Sequence, residues 1–187
     1  MSRLLAVMLA LSIAATGCAI GPESRARAIE VSVDGADLGE VDPEIGAGES
    51  VAVSSYVVRD NRLLHVTREV SNLGNVAVAV VEMTIAGPTP AEQRSGLWSA
   101  VPTATNLAGL DVVDGVATID LSAEFALIGG LDEVLALGQL VLSLTALTDV
   151  RAVTFEIGGT RVSVPLPDGA LVARPVNPED YSELLDR

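Results

Sequence analysis

The chain has 187 residues, of which 25 are acidic and 11 are basic, all of them arginine, giving a formal charge of −14. This acidity argues against a nucleic-acid binder, and a single cysteine excludes an internal disulfide or a zinc cluster. Because 49% of the residues are apolar, the composition is that of a folded chain, and the length suits one domain with tails.

The first 17 residues have the pattern of a secretory signal peptide. Arg3 supplies a single positive charge, and residues 4–15 form an almost wholly apolar run. Such a run is long enough for a signal peptide and too short to span a membrane. We therefore expect residues 1–17 to be a signal peptide.

Cys18, the only cysteine of the chain, directly follows this segment. The residues before it, Ala15, Thr16 and Gly17, are small, and the four together resemble a bacterial lipobox, in which cleavage precedes a cysteine that carries a diacylglycerol. The alternative is an ordinary signal peptide followed by an incidental cysteine. With lipid attached at Cys18, we expect an anchored protein at the cell membrane, on its extracytoplasmic side, because two or more acyl chains hold a protein firmly.

Residues 18–48 have the composition of an acidic tether. Carboxylates outnumber arginines there, and glycines and prolines are scattered throughout, which favours a flexible, self-repelling segment. The stretch from Asp34 to Glu40 resembles a calcium loop only faintly, because its acids lack the spacing that wraps the ion. We therefore predict a lipidated tether without a metal site.

Three hairpins are predicted in the folded domain, which we place at residues 49–165. Each has two segments of alternating apolar and polar residues around a dipeptide suited to a tight turn. The turns are Asp60-Asn61, Asp114-Gly115 and Gly158-Gly159. The expected cross-strand pairs are Val58 with Leu63 and Tyr56 with His65; Val113 with Val116 and Leu110 with Ile119; and Phe155 with Val162, Glu156 with Arg161 and Val153 with Val164.

Two helices are predicted between the hairpins. Residues 75–86 are apolar and end at Gly87-Pro88, where glycine can terminate a helix and proline blocks its continuation. The valines of this segment favour a strand, so its periodicity alone does not decide between the two. Residues 131–147 carry leucines and valines at helical spacing, and Gly138 within them would allow a close approach of the backbone to its neighbour.

The element order ββαββαββ predicts an α+β fold. We expect a single two-layer domain with a largely antiparallel sheet and both helices packed on one face. A C-terminal tail, residues 166–187, should contain a short helix with Asn177 as its cap and Pro178 at its first position.

Catalytic chemistry finds little support in the sequence. His65 is the only histidine, and a nucleophilic enzyme needs a nucleophile, a base and a group that orients the base. Asp111 and Asp120 are expected on the solvated face of their hairpin. We predict no catalytic, cofactor-binding or metal-binding residues and no cofactor. Trp98 is either a core or sheet-edge residue or, as the one candidate site on the domain, a contact for a partner.

Several segments share, in order, a pattern with one known family. They are residues 81–102, which read VEMTIAGPTPAEQRSGLWSAVP, and residues 113–125, 137–145, 150–155 and 174–181. Together they resemble the GerMN domain, named for sporulation and spore-germination proteins, in one copy over residues 53–164. The last segment is similar to the tail that follows this domain in actinobacterial members.

The resemblance implies a non-enzymatic extracytoplasmic module of envelope lipoproteins. Some relatives help to assemble transenvelope complexes, and others carry a β-propeller and associate with sensor kinases. We therefore expect a membrane-anchored scaffold or protein-interaction module in cell-envelope, sporulation or germination-related assembly. Its partner would be another envelope protein or a cell-wall component, and not a nucleic acid. The alternative is an extracytoplasmic carrier of a small apolar ligand or lipid.

Overall fold

A computed structural model describes residues 50–72 and 74–186. The predicted signal peptide, residues 1–17, and the tether, residues 18–48, lie outside these ranges, and both stay predictions. All described residues belong to one structural unit. None of the helices in these ranges is both long and apolar enough to cross a membrane.

The first hairpin joins β1 (Ser50–Arg59) to β2 (Arg62–Ser71). Its turn residues Asp60 and Asn61 have φ angles of 51° and 59°, as a tight hairpin turn requires of both central positions. Val58 lies opposite Leu63, and Tyr56 lies opposite His65. The predicted register is confirmed.

Helix α1 (Val76–Ala86) begins and ends where the sequence indicates. The side chain of Asn75 accepts hydrogen bonds from the backbone N–H groups of Ala77 and Val78, and Gly87 follows the last turn with a φ of 74°. A five-residue helix, α2 (Pro90–Arg94), comes next. Helix α2 was not predicted from the sequence, because it is too short to show a hydrophobic period.

The second hairpin joins β3 (Leu107–Val113) to β4 (Val116–Leu121) around Asp114 and Gly115. Its predicted pairs, Val113 with Val116 and Leu110 with Ile119, are both present. A register shift between Leu107 and Gly109 lets the first strand bend at its start.

Helix α3 (Leu131–Thr145) is the central element of the domain. It follows a short 3-10 helix (Ala123–Leu127) and ends two residues before the predicted boundary. Every residue from Val134 to Leu144 is buried, because α1, the first hairpin and β5 (Ala152–Ile157) all pack on this helix. The helix also crosses from β4 to β5, and this crossover makes the two strands parallel.

The third hairpin is shorter than predicted. Glu156 pairs with Arg161 in β6 (Thr160–Arg161), and the N–H of Val162 donates to the carbonyl of Phe155, as expected. The predicted pairing of Val153 with Val164 is wrong. Val176 pairs with Val153 at the edge of β5 instead. The N–H of Val176 donates to the carbonyl of Val153 at 2.9 Å, and the N–H of Val153 donates to the carbonyl of Val176 at 2.8 Å. The chain instead continues through β7 (Val164–Pro165), β8 (Leu171–Val172) and a 3-10 helix (Pro178–Leu184).

The expected α+β fold is confirmed. Within the described residues, the strands form sheets of two, four and two strands, and all pairs except β4–β5 are antiparallel. Helices α1 and α3 pack on each other and on the strands. The core between them consists mainly of valine and leucine, with Phe125, Phe155 and Tyr181 as its buried aromatic residues.

Candidate interaction surfaces

The predicted lipid-attachment site lies outside the described residues. Cys18 and the lipobox residues Ala15, Thr16 and Gly17 all precede Ser50, where the description begins. The structure therefore leaves them as predictions, and the candidate sites on the domain are found among residues 50–186.

Trp98 covers a sheet edge through its backbone. Its N–H and C=O pair with those of Val58 at 3.0 and 2.8 Å, on the side of β1 away from β2. Of the two structural roles considered for Trp98, core residue and sheet-edge residue, the second is present. The indole remains 36% exposed, and its role as a partner contact stays a prediction.

A buried glutamine positions the segment that follows Trp98. The side-chain amide of Gln139, on α3, donates to the carbonyl of Tyr56 at 2.8 Å and accepts from the N–H of Ala100 at 2.7 Å. Ser143, one helical turn later, accepts from the N–H of Tyr56 at 3.2 Å. Two side chains of α3 therefore satisfy the backbone of Tyr56 on the edge of β1 that faces away from β2. The only indication of this bridge in the sequence is that Gln139 lies within the apolar face of the predicted helix.

The residues considered for catalysis lie at strand surfaces. His65 is exposed, lies 3.0 Å from the hydroxyl of Ser54 and contacts the ring of Tyr56 edge-on. Asp111 faces Thr118, and Asp120 faces Gly109, so the two carboxylates are not directly opposite each other. Among the described residues, no group of three or more histidine, cysteine, aspartate or glutamate side chains could hold a metal ion.

An open cleft of about 800 Å³ lies at the turn of the first hairpin, and we call it the turn cleft. It lies between that turn, the start of α3, the β7–β8 loop and the end of the last 3-10 helix. Its lining residues are Asp60, Asn61, Arg62, Gly130, Leu131, Glu133, Val134, Pro165, Leu166, Pro167, Gly169, Glu183 and Leu184. None of these residues was identified as a site from the sequence.

The turn cleft is lined by both apolar and charged side chains. Leu131, in the first turn of α3, is 49% exposed. Three carboxylates line the cleft, and they belong to Asp60, Glu133 and Glu183. The one guanidinium of the lining, that of Arg62, donates to the backbone carbonyl of Glu183.

One wall of the turn cleft is held by buried side chains of the last 3-10 helix. Tyr181 is fully buried and donates its hydroxyl proton to the carbonyl of Pro165 at 3.1 Å. Burial raises the pKa of this phenol, and the nearby carboxylates raise it further, so the hydroxyl remains a donor at neutral pH. Gly138 of α3 makes room for this helix, since a Cβ there would lie 3.1 Å from Leu184 and 2.8 Å from Leu63.

The N-terminus of this 3-10 helix is capped, and the capping carboxylate belongs to an ion pair. Asp180 accepts from the backbone N–H of Asn177 at 2.9 Å, and its own N–H is accepted by the Asn177 side chain. Both oxygens of Asp180 also bind the guanidinium of Arg174, at 2.6 and 2.8 Å. The hydrogen bond from Arg174 is the main reason that the pKa of Asp180 is lowered. The cap predicted at Asn177, with Pro178 after it, is confirmed.

Two smaller pockets have different characters. One of about 210 Å³ lies against the core and is lined mainly by apolar residues, among them Phe125, Leu137 and Phe155. Another, of about 690 Å³, follows the unpaired edge of β3 at residues 110–112 and the start of α1. The pocket of about 210 Å³ is the one to compare with the size of an apolar ligand held within the domain.

Comparison with known structures identifies the fold. The tandem GerMN domains of the sporulation protein GerM from Bacillus subtilis match with a TM-score of 0.59 and 20% identity, over 70% of this chain and 47% of that one. This chain thus spans about half the length of the tandem structure. The first GerMN domain of the same protein matches with a TM-score of 0.54 and 19% identity, over 69% of this chain and 98% of that one.

A third structure, a candidate lipoprotein from Clostridium perfringens, matches with a TM-score of 0.50 and 18% identity, over 73% of this chain and 93% of that one. At these identities the matches show the fold. Among curated proteins, none matches the chain. A family model described as Germane, sporulation and spore germination, matches residues 44–163. This match covers most of the chain, and the protein therefore belongs to the Germane family, whose domain is the GerMN type expected from the sequence.

Proposed function

We propose that this protein is an extracytoplasmic lipoprotein, anchored through Cys18, whose Germane domain is a non-enzymatic protein-interaction module. The assembly that it serves would belong to the cell envelope, to sporulation or to germination. Family membership supports this general field. The observation that carries the interaction role is the turn cleft, an open surface lined by an exposed leucine and other apolar side chains together with several carboxylates.

The anchor rests on the position of Cys18. It is the single cysteine, and it follows small residues at the end of an apolar N-terminal run. The similarity to a candidate lipoprotein agrees with this interpretation. Cys18→Ala should release the protein from the membrane fraction, whereas Gly21→Ala, a change in the tether, should leave it there. A Cys18→Ala protein that stays in the membrane fraction like the wild type would contradict the anchor.

The packing of the core argues against a carrier that holds its ligand inside the domain. The pocket that reaches towards the core has a volume of about 210 Å³, whereas ligand sites usually have about 300–1,000 Å³. Leu135, Leu140 and Leu144 of α3 are fully buried, so a carried lipid would have to displace this helix. The turn cleft, by contrast, is open without any movement.

In-cell crosslinking tests the interaction role. The full chain would carry a photoreactive residue at one of three exposed apolar positions, Trp98, Leu131 or Leu171. We expect one envelope protein to be recovered repeatedly, and recovery to fall when Cys18 is replaced by alanine. If no position yields a specific envelope protein, the proposal of an interaction module fails.

A further inference from the structure

We propose that the turn cleft binds a segment of a partner protein that presents aliphatic side chains flanked by lysine or arginine. We further infer that residues 164–186, which we call the C-terminal segment, determine what this cleft accepts. The inference rests on the proposed function and deepens it, because it names the chemistry of the partner and the surface that recognises it.

The apolar lining favours an aliphatic partner side chain. Leu131 is about half exposed in the first turn of α3, and Pro165, Leu166 and Pro167 line the same cleft. Burying these side chains gives a favourable free energy in proportion to the apolar area removed from water. A polar partner would not gain this free energy, and its own polar groups would lose their hydration.

The charged lining favours positive charge on that partner. Asp60, Glu133 and Glu183 contribute three carboxylates, against the single guanidinium of Arg62, which donates to the carbonyl of Glu183. Just outside the cleft, Arg59 is paired with Asp186 at 3.0 Å. A basic segment is therefore complementary in charge, and the acidity of the whole chain would speed its approach.

The cleft is also placed where a partner can reach it. β1 begins at Ser50, the first described residue, and runs ten residues from there to the turn that lines the cleft. At about 3.3 Å per residue, this strand separates the cleft from Ser50 by roughly 30 Å. The cleft therefore lies at the end of the hairpin away from Ser50.

The C-terminal segment builds almost half of this cleft. The family model ends at residue 163, and six of the lining residues follow it: Pro165, Leu166, Pro167, Gly169, Glu183 and Leu184. The part of the chain that matches the family thus contributes only the hairpin turn and the start of α3. The recognition surface of this member depends on residues outside the shared region.

Defined peptides test the charge and the apolar requirement. The probe is a fluorescent twelve-residue peptide with two leucines flanked by four lysines. One comparison peptide has glutamate in place of lysine, and another has serine in place of leucine. With the full chain in detergent, we expect the first peptide to bind at least tenfold more tightly than either of the others. Raising the salt from about 0.05 to 0.5 M should weaken it several-fold, since screening acts on exposed charges.

Matched substitutions locate the site. Glu133→Lys, which lines the cleft, should weaken binding of the lysine peptide about tenfold, whereas Glu82→Lys, an equal charge change on the exposed side of α1, should change it less than twofold. Leu166→Ser, in the wall, should weaken binding, whereas Leu171→Ser, which is 70% exposed and does not line the cleft, should not. Circular dichroism would establish that each variant is folded.

Two results would overturn the inference. One is equal binding of the lysine and glutamate peptides, and the other is equal weakening by Glu133→Lys and Glu82→Lys. Its failure differs from that of the proposed function. If crosslinking recovers an envelope protein through Trp98 while the peptides do not select the cleft, only the inference fails. If the peptides select the cleft while no envelope protein is recovered, the proposed function fails.

Discussion

Two helices of the protein begin with the same kind of cap, a capping box. One helix lies in the part of the chain that matches the family, and the other lies in the C-terminal segment. At α2, the hydroxyl of Thr89 accepts from the N–H of Glu92, whose carboxylate accepts in return from the N–H of Thr89. At the last 3-10 helix, Asn177 and Asp180 make the same exchange. A proline follows the cap in both places, and an arginine binds the carboxylate in both.

The two arginines differ in where they come from. Arg68 reaches Glu92 from β2, at 2.8 Å, and also donates to the carbonyl of Gly87, while its side chain is only 13% exposed. Arg174 lies six residues before Asp180 in the chain, and its side chain is 50% exposed. The first pair therefore joins distant elements, whereas the second stabilises a segment locally.

The C-terminal segment must be fixed to the domain by other contacts. Val176 and Tyr181 are fully buried, and Leu184 is nearly so. Backbone hydrogen bonds join Val176 to β5 and Asp186 to β2. The comparison shows that local polar contacts shape this segment, while apolar burial and two sheet edges hold it in place.

The largest effect should follow from removing the buried aromatic ring of the C-terminal segment. Tyr181→Ala leaves a cavity against Gly138, and we expect a loss of about 3–5 kcal/mol in the free energy of unfolding. Tyr181→Phe keeps the ring but loses the hydrogen bond to Pro165, at a cost of about 1 kcal/mol. Urea titration of both variants measures this difference.

Hydrogen exchange would show which part of the protein responds to that change. If the C-terminal segment is held by apolar burial, the amides of Val176 and Asp186 should lose protection in Tyr181→Ala before that of Val58 does. Equal loss of protection at all three amides would mean that the segment and the rest of the domain unfold as one unit.

A smaller loss is expected at the buried glutamine of α3. Gln139→Leu leaves the carbonyl of Tyr56 and the N–H of Ala100 without their partner, and we expect a cost of about 2–3 kcal/mol. Thr145→Ala is the control on the same helix, because its hydroxyl bonds only within the helix, to Val141. Thermal unfolding should show a clear shift for the first variant, and a similar shift for both would contradict the bridging role.

Local patterns in the sequence were enough for most of the region that matches the family. The turn dipeptides set the registers of the first two hairpins, and Asn75 and Gly87 mark the ends of α1. Each signal lies within a few residues of the structure that it determines. The cap at Asn177 is local in the same way, and it too was predicted.

The turn cleft could not be predicted, because it forms from four segments that are distant along the chain. No local pattern states that Leu131 and Leu166 will face the same opening. The error at Val153 has the same origin, since the pairing expected within the hairpin is replaced by Val176 from farther along the chain. Competition between partners for a strand edge depends on the whole fold.

The two arginines should differ in their contribution to stability. Arg68→Gln removes one member of a largely buried pair, and we expect a cost of about 2 kcal/mol. Arg174→Gln removes a half-exposed one, and its cost should be clearly smaller, because solvent screens an exposed pair. Urea titration at neutral pH measures both, and equal costs would contradict the distinction between a joining pair and a local one.

The smallest effect should appear in acid. At Glu92, partial burial raises the pKa. The hydrogen bonds from Thr89 and the charge of Arg68 lower it by more than burial raises it, so the net change is downwards. At Asp180, the bond from Arg174 lowers the pKa. A carboxyl whose pKa is lower in the folded than in the unfolded state stabilises the fold above the unfolded pKa, about 3.9–4.3, and loses this contribution as the pH falls through the folded value.

Stability should therefore fall as the pH is lowered from about 5 towards 3. Glu92→Gln and Asp180→Asn should each make this decline shallower, because each removes one of the titrating groups. Glu82→Gln, which removes an exposed carboxylate of α1, is the control. Urea titrations at several pH values measure the slopes. If neither variant changes its slope relative to Glu82→Gln, the two capping carboxylates do not link folding to pH, and the arginines beside them act only through geometry.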